Sequence, residues 1–197
     1  MTENNHFEVS FKPPDQWIYA RAAINLIAFV MLGCSCLKAL AAPHSVQSGV
    51  VTRVVDGDTV WVKTSPSQPP LKLRIQGIDA PEICQKGGMQ AQEALKGRVL
   101  GQSVTVTSGA HDDYGRTVGI LYLQGQDVGR WLVASGHAWV YSFRHKKGLY
   151  TEEFAQAQAM QRGVFSETAA EEPRLFRKRE GSCYKNLPSS YKKSSSL

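Results

Sequence analysis

The chain has 197 residues, 42% of them hydrophobic and 20% charged, with 23 Lys and Arg against 17 Asp and Glu and a formal net charge of +6. That length suits one domain with an extension better than two domains, and the apolar fraction excludes wholesale disorder. Four cysteines are too few for a small disulfide-stapled scaffold, and none stands in the CxxC…CxxC spacing of a structural zinc site. The charge is uneven. Residues 1–41 carry three basic and three acidic side chains, residues 42–143 nine and eight, and residues 144–197 eleven and six. A positive field over the last quarter would steer a polyanion toward the protein.

Residues 22–37, AAINLIAFVMLGCSCL, form the one long apolar run, with Arg21 before it and Lys38 and Ala39-Leu40-Ala41 after it. A membrane span needs roughly 20 apolar residues, whereas a secretory core needs about 7 to 15 before a small-x-small cleavage site. The expectation is that residues 1–41 are a signal peptide cut near Ala41, with an uncleaved membrane anchor or a buried segment as alternatives. Met31-Leu32-Gly33-Cys34 also has the form of a degenerate lipoprotein processing site. The mature protein is then expected outside the cytoplasm, periplasmic or secreted, or held at the membrane by this segment. Cleavage would leave only Cys84 and Cys183. In an oxidising compartment they could pair, tying the tail to the loop after Glu82, or stand as two free thiols.

Residues 48–55 read as a strand ending at Asp56-Gly57, a pair suited to a turn with positive φ. Thr59 to Lys63 alternates, so Asp56 to Thr59 is expected to join two strands as a hairpin. Ser65 to Pro70, SPSQPP, cannot sustain a ladder and is a loop. Leu71 to Ile78 alternates again and ends at Asp79-Ala80-Pro81-Glu82. Met89 to Leu100 predicts a helix with an apolar stripe of Met89, Ala94, Leu95 and Val99. Strands follow at Ser103 to Thr107 and Thr117 to Leu123. Asp127 is placed to cap a helix over Val128 to Ser135, and Tyr150 to Gln161 gives a third helix. No dinucleotide-type glycine run is present, which disfavours a Rossmann site. The pattern is that of a small closed five-stranded barrel packed against three helices, over residues 42–166. Residues 167–197 form a basic, partly disordered tail. Within it the cluster Arg177-Lys178-Arg179 serves either solubility or a nucleic-acid clamp.

The residues that carry chemistry are Asp58, Arg74, Asp79, Glu82 and Arg116. Carboxylates at adjacent strand ends can converge on one hard cation, for which oxygen ligands are appropriate, and Ca²⁺ is the metal expected. Arg74 and Arg116 can grip phosphate through paired donors and match charge that builds on phosphorus. Arg74 lies five residues before Asp79, so a regular strand would send the two to opposite faces. A bulge around Gln76-Gly77, or coiling of a small barrel, must bring them together. His111, His137 and His145 lack metal spacing with a carboxylate and read as structural or exposed. Trp139, Tyr141 and Phe143 alternate, and packing competes with base stacking for them. Tyr141 is the one chosen for substrate contact.

Val55-Asp56-Gly57-Asp58-Thr59, then Leu73-Arg74-Ile75-Gln76-Gly77-Ile78-Asp79-Ala80-Pro81-Glu82, then Asp113-Tyr114-Gly115-Arg116 resembles the thermonuclease family, the staphylococcal nuclease type. The resemblance covers about residues 48–166, with the three blocks in family order. It implies an OB-like five-stranded barrel with three helices and Ca²⁺-dependent cleavage of DNA and RNA to 5′-hydroxyl and 3′-phosphate ends. It further implies Asp58 and Asp79 as calcium carboxylates and Ala80, often Thr in the family, as a backbone carbonyl ligand. Glu82 would activate or orient the attacking water, and Arg74 and Arg116 would clamp the phosphate. Asp56 would be a supporting carboxylate and Tyr114 a nucleotide-contacting ring. The protein is expected to be a sugar-nonspecific endonuclease, monomeric and without an obligate protein partner. Two rivals are a noncatalytic binding module on the same barrel and a secreted lipid phosphodiesterase.

Overall fold

The computed structural model describes residues 45–141, 148–166, 170–181 and 183. The chain divides into two units, Met1–Ala41 and Ala42–Leu197. The expected signal peptide or anchor therefore lies outside the described residues, as do His145, Phe143 and the Ser- and Lys-rich end. Among the described residues no helix is long and apolar enough to cross a membrane.

Five strands close into a mixed barrel. They are β1 (Ser45–Val54), β2 (Thr59–Lys63), β3 (Leu71–Ile75), β5 (Ser103–His111) and β6 (Thr117–Leu123). Their order is β3-β2-β1-β5-β6, and a parallel pairing of β3 with β6 completes the ring, setting Arg74 opposite Val118. Alternation does the work in β2, where Val60 and Val62 are fully buried and Trp61 and Lys63 are not. Closure leaves these strands without a free edge. Two short strands, β4 (Ile78–Asp79) and β8 (Trp139–Val140), pair separately, and β7 (Gln126–Asp127) extends the ring beyond β6.

Among the described residues four α-helices pack around this frame: α1 (Gly88–Val99), α2 (Val128–Ala134), α3 (Thr151–Ala159) and α4 (Pro173–Glu180). The last is additional to the sequence reading. Its Pro173 stands at the first helical turn, where a missing N–H costs nothing. In α1 the buried stripe is Ala91, Leu95 and Val99, and Met89, expected in it, is 65% exposed. Ala91 and Leu95 stand four residues apart, as do Leu95 and Val99, so they fall on one helical face, whereas Met89 lies two before Ala91. Gln92 shares the inner side and donates from Nε2 to the Val55 carbonyl at 2.7 Å, fixing the end of β1. Asp127 caps α2 as expected: its Oδ1 accepts from the Arg130 N–H, and its Oδ2 accepts from the Tyr150 hydroxyl at 2.9 Å. One core joins Val51, Val60, Leu73 and Val106 of the barrel to Leu95 of α1 and Leu132 of α2.

Gly77, with φ of 79°, ends the alternation of β3 and starts β4 in a new direction. The Gln76 N–H is retained by the Gly119 carbonyl and the Gly77 carbonyl accepts from the Tyr141 N–H. Of the two devices open from the sequence, a local irregularity at Gln76-Gly77 or coiling of the barrel, the backbone uses the first, as a left-handed turn at Gly77. The reason expected for Gly57 is not met: its φ is not among the positive ones. Glycine is needed there for space, because a Cβ would stand 2.6 Å from the Ala80 Cβ and 2.8 Å from the Ala91 Cβ.

His137 is structural. It lies beside the Trp131 ring, 5.9 Å between centroids, with a buried Nδ1 that lacks a hydrogen-bond partner. Burial holds its pKa below the ordinary 6.5. The unfolded chain therefore takes up the proton more readily. The stability this group contributes is complete above about pH 6.5 and is lost as pH falls through the lowered folded value. The fall in urea midpoint from pH 8 to pH 5 should be larger in the wild type than in His137→Gln. An equal or larger fall in the variant would contradict this assignment.

Candidate active site

The site forms where the β1–β2 turn meets the bend between β3 and β4. Thr59 pairs with Arg74 across β2 and β3, which sets Asp58 beside Arg74 at the mouth of the barrel. The Ile75 N–H donates to the Asp58 carbonyl at 2.8 Å, locking the two segments together. Beyond the bend, the Ala80 N–H donates to Asp58 Oδ2 at 3.0 Å. Asp58 and Asp79 are both buried, at 6% and 3% exposure.

Arg74 links them. Its Nη1 lies 2.5 Å from Asp58 Oδ2, and its Nη2 donates to Asp79 Oδ1 at 3.1 Å. Burial alone would lower the Arg74 pKa, but the charges of Asp58, Asp79 and Asp56 outweigh it and raise the value. Asp58 Oδ1 accepts from the Thr59 hydroxyl at 3.0 Å, and that hydroxyl oxygen accepts from Arg116 Nη1 at 3.3 Å. Arg116 therefore joins the cluster through Thr59, one side chain away from Asp58. Its Nε donates to Asp112 Oδ2 at 2.7 Å, and the Asp112 Oδ1 accepts the N–H groups of Tyr114 and Arg116. Burial pushes Asp112 upward, yet these bonds and the Arg116 charge hold it below its usual value. The Asp112 loop is thus a jig for the second arginine.

Asp56 stands behind Asp58, accepting the Asp58 N–H at 3.1 Å. Burial, and next the Asp58 charge, push its pKa up to about 7. Glu82, three residues after Asp79, reaches the same cluster, and its N–H is held by Gln85 Oε1 at 3.1 Å. Tyr114 is 85% exposed, with the Arg116 guanidinium 5.5 Å from its ring centroid. Tyr141 follows β8 and is 45% exposed. Trp139 packs edge-on against Phe165 at 4.9 Å and is core.

One functional group was not assigned to the site from sequence. Arg177 of α4 donates from Nη2 to Asp79 Oδ2 at 2.8 Å and from Nη1 to Asp79 Oδ1 at 3.0 Å and Glu82 Oε1 at 3.1 Å. The hydrogen bonds to Asp79 raise its pKa most; burial, the next largest effect, opposes them, and the Asp79 charge with the hydrogen bond and charge of Glu82 carries the balance upward. The signal in the sequence was the cysteine pair. Cys84 and Cys183 are disulfide-bonded, with Cα atoms 5.7 Å apart, which carries the tail back to the loop after Glu82. Thr59 was visible in the first motif, but its role as a relay between Arg116 and Asp58 required the fold.

A hard-oxygen donor set is present in Asp58, Asp79 and the backbone of Ala80, and in kind it suits a calcium-like ion better than a soft one. Among the described residues no cluster of three or more His, Cys, Asp or Glu is arranged to hold a metal ion. In this arrangement both Asp79 oxygens are engaged by guanidinium groups.

The family profile described as staphylococcal nuclease homologue matches residues 72–165. An uncharacterized endonuclease of Escherichia coli O157:H7 is 35% identical over 133 residues, covering 67% of this chain and 86% of that protein. A micrococcal nuclease of Shigella flexneri is 32% identical over 142 residues, covering 66% of this chain and 80% of its own length. A probable staphylococcal-like nuclease of Oryza sativa subsp. japonica is 34% identical over 107 residues but only 32% of it is covered. With the closed barrel and its helices, these matches place the chain in the staphylococcal nuclease homologue family.

The close approach at Gly57 gives a test of how tightly the motif turn is packed. Gly57→Ala should destabilise the protein by about 1–3 kcal/mol, as overpacking of a dense core does. Urea unfolding would measure it, and a change within about 0.5 kcal/mol, typical of uncrowded surface sites, would contradict the packing described.

Proposed function

We propose that the protein is a calcium-dependent, sugar-nonspecific nuclease that cleaves phosphodiester bonds of DNA and RNA, chiefly as an endonuclease, leaving 5′-hydroxyl and 3′-phosphate ends. The observation that carries this reading is the convergence of Asp58, Arg74, Asp79 and Glu82 at one barrel mouth, with Arg116 joined through Thr59. Nuclease names among the relatives support the reaction class.

In this scheme Asp58, Asp79 and the Ala80 carbonyl would hold Ca²⁺, which when bound would supply Lewis-acid polarisation of the phosphoryl group. Arg74 and Arg116 grip the phosphate and match the charge that develops on it in the transition state. Glu82 accepts a hydrogen bond from the attacking water and sets it opposite the departing 5′ oxygen. Its carboxylate suits this because it is anchored at the backbone by Gln85 and stands beside the cluster. Tyr114 and Tyr141 offer exposed rings for bases, and stacking tolerates any base. Arginine clamps address phosphate, which DNA and RNA share, and that favours indifference to the sugar. Retention of both arginines and all three carboxylates argues against a binding-only module on this fold.

The Cys84–Cys183 bond supports an extracytoplasmic location, periplasmic or secreted, since such bonds persist in oxidising compartments. Residues 1–41 would supply the export signal or an anchor. We propose a monomer that needs no protein partner.

The test is incubation of the full chain with plasmid DNA and single-stranded RNA, in Ca²⁺ or excess chelator, beside Glu82→Gln. Cutting of both polymers that requires Ca²⁺ and collapses in the variant is expected. Binding without cutting would favour the module, and cutting indifferent to Ca²⁺ and Glu82 would sink the mechanism. Arg116→Ala should lower kcat at least about a hundredfold, the typical loss for one electrostatic donor. A change under about threefold would remove Arg116 from the transition-state clamp.

A further inference from the structure

The C-terminal segment is fastened to the site loop at three points. Cys183 is bonded to Cys84 and buried, Gln85 Nε2 donates to the Glu171 carbonyl at 2.8 Å, and Arg177 forks onto Asp79 and reaches Glu82. Within the segment, Arg179 pairs with Glu171, and the Gly181 N–H caps α4 by donating to the Arg177 carbonyl. The helix is therefore held in place from both ends, with one guanidinium aimed at the carboxylates. Its neighbours on the chain, Lys178 and Arg179, are exposed and do not enter the cluster.

We propose that Arg177 is a tethered internal cation that competes with a divalent ion for Asp79 and Glu82, so that α4, held by Cys84–Cys183, sets the metal affinity of the site. This rests on the calcium-dependent reading above. The argument is one of space and charge. Calcium binds oxygen at about 2.3 to 2.6 Å. Arg177 already holds both oxygens of Asp79, at 2.8 and 3.0 Å, so an ion on Asp79 would face a guanidinium within contact distance. Three carboxylates, Asp58, Asp79 and Glu82, meet two guanidinium groups, Arg74 and Arg177. A divalent ion added to all five leaves excess positive charge. With Arg177 withdrawn, the same ion and Arg74 balance the three carboxylates. With Arg177 in place the five groups sum to −1 and with the ion in its stead to zero, so exchange of one cation for the other leaves each buried carboxylate beside a cation and never builds up the excess positive charge. Arg177 is suited to leave because it is the more exposed partner, with 34% of its side chain accessible against 4% for Asp79.

Calcium alone should be titrated calorimetrically into the full chain, into Arg177→Gln and into Cys84→Ser/Cys183→Ser. A plug closed nine-tenths of the time weakens apparent affinity about tenfold. Arg177→Gln should therefore bind Ca²⁺ about tenfold more tightly, and the double serine variant should shift the same way. Equal or weaker Ca²⁺ binding by Arg177→Gln would overturn the competition. If that came with weaker binding of a short single-stranded DNA, Arg177 would instead be a third phosphate ligand. An unchanged affinity in the double serine variant would overturn the tether. Absence of Ca²⁺ binding in both wild type and Arg177→Gln would sink the calcium reading itself, an outcome distinct from equal binding in the two. Should Arg177→Gln fail to fold, amide exchange over residues 173–180 of the wild type decides. Acceleration on adding Ca²⁺ supports withdrawal of α4, and unchanged protection contradicts it.

Discussion

Arg74 carries a charge that it does not give up, and 17% of its side chain is accessible. It stands between two carboxylates that are themselves almost without solvent, and each of the three would be costly to bury alone. Asp58 and Asp79 are tolerated inside because Arg74 lies between them, and Arg74 because they flank it. The backbone around this triad is equally constrained. Arg74 pairs with Thr59 on one side and with Val118 on the other, so the residue that balances the charges also sits in the seam that closes the barrel. Loss of either acid would leave Arg74 with one carboxylate in place of two at the point where the ring joins, and loss of both would leave a buried cation unpaired. Stability and site geometry are thus one problem in this fold.

The surrounding groups extend that arrangement in two directions. Toward β6, Thr59 passes the contact from Asp58 to Arg116, which the Asp112 loop holds from behind. Toward the C-terminus, Asp79 and Glu82 pass it to Arg177. The cluster is a chain of alternating charges rather than an acidic hole, and each of Asp58, Asp79 and Glu82 already has a guanidinium beside it. On the proposed reading, a metal enters by replacing a charge already present, and the protein keeps the site organised in its absence.

Much of this was legible in the sequence. Alternation marked the strands, and the offset between Arg74 and Asp79 demanded either an irregularity near Gln76-Gly77 or coiling of the barrel, of which the left-handed Gly77 supplies the first. Asp127 was readable as a cap because its chemistry is local. What failed was non-local. The glycine of the Asp56-Gly57 turn is needed for contact with Ala80 and Ala91, which lie 23 and 34 residues further along, and not for its φ. Met89 was expected inside because it is apolar, whereas the helix turned it outward and used Gln92 to hold the Val55 carbonyl. Arg177 lies 98 residues from Asp79, in a stretch whose composition resembles a solvated tail. Only the cysteine pairing hinted that this stretch returns to the site, and its alternative, two free thiols, could not be decided before the fold was known.

On the proposed reading, water attacks in line at this cluster and the 5′ oxygen departs. The direct measurement is the chemistry of the ends produced when the full chain digests a defined oligonucleotide. The products should carry 5′-hydroxyl groups that a polynucleotide kinase labels without prior phosphatase treatment, and 3′-phosphates that block extension by a polymerase. Ends bearing 5′-phosphate and free 3′-hydroxyl would mean that water attacks from the other side of the phosphorus, and would contradict the roles given to Glu82 and the two arginines.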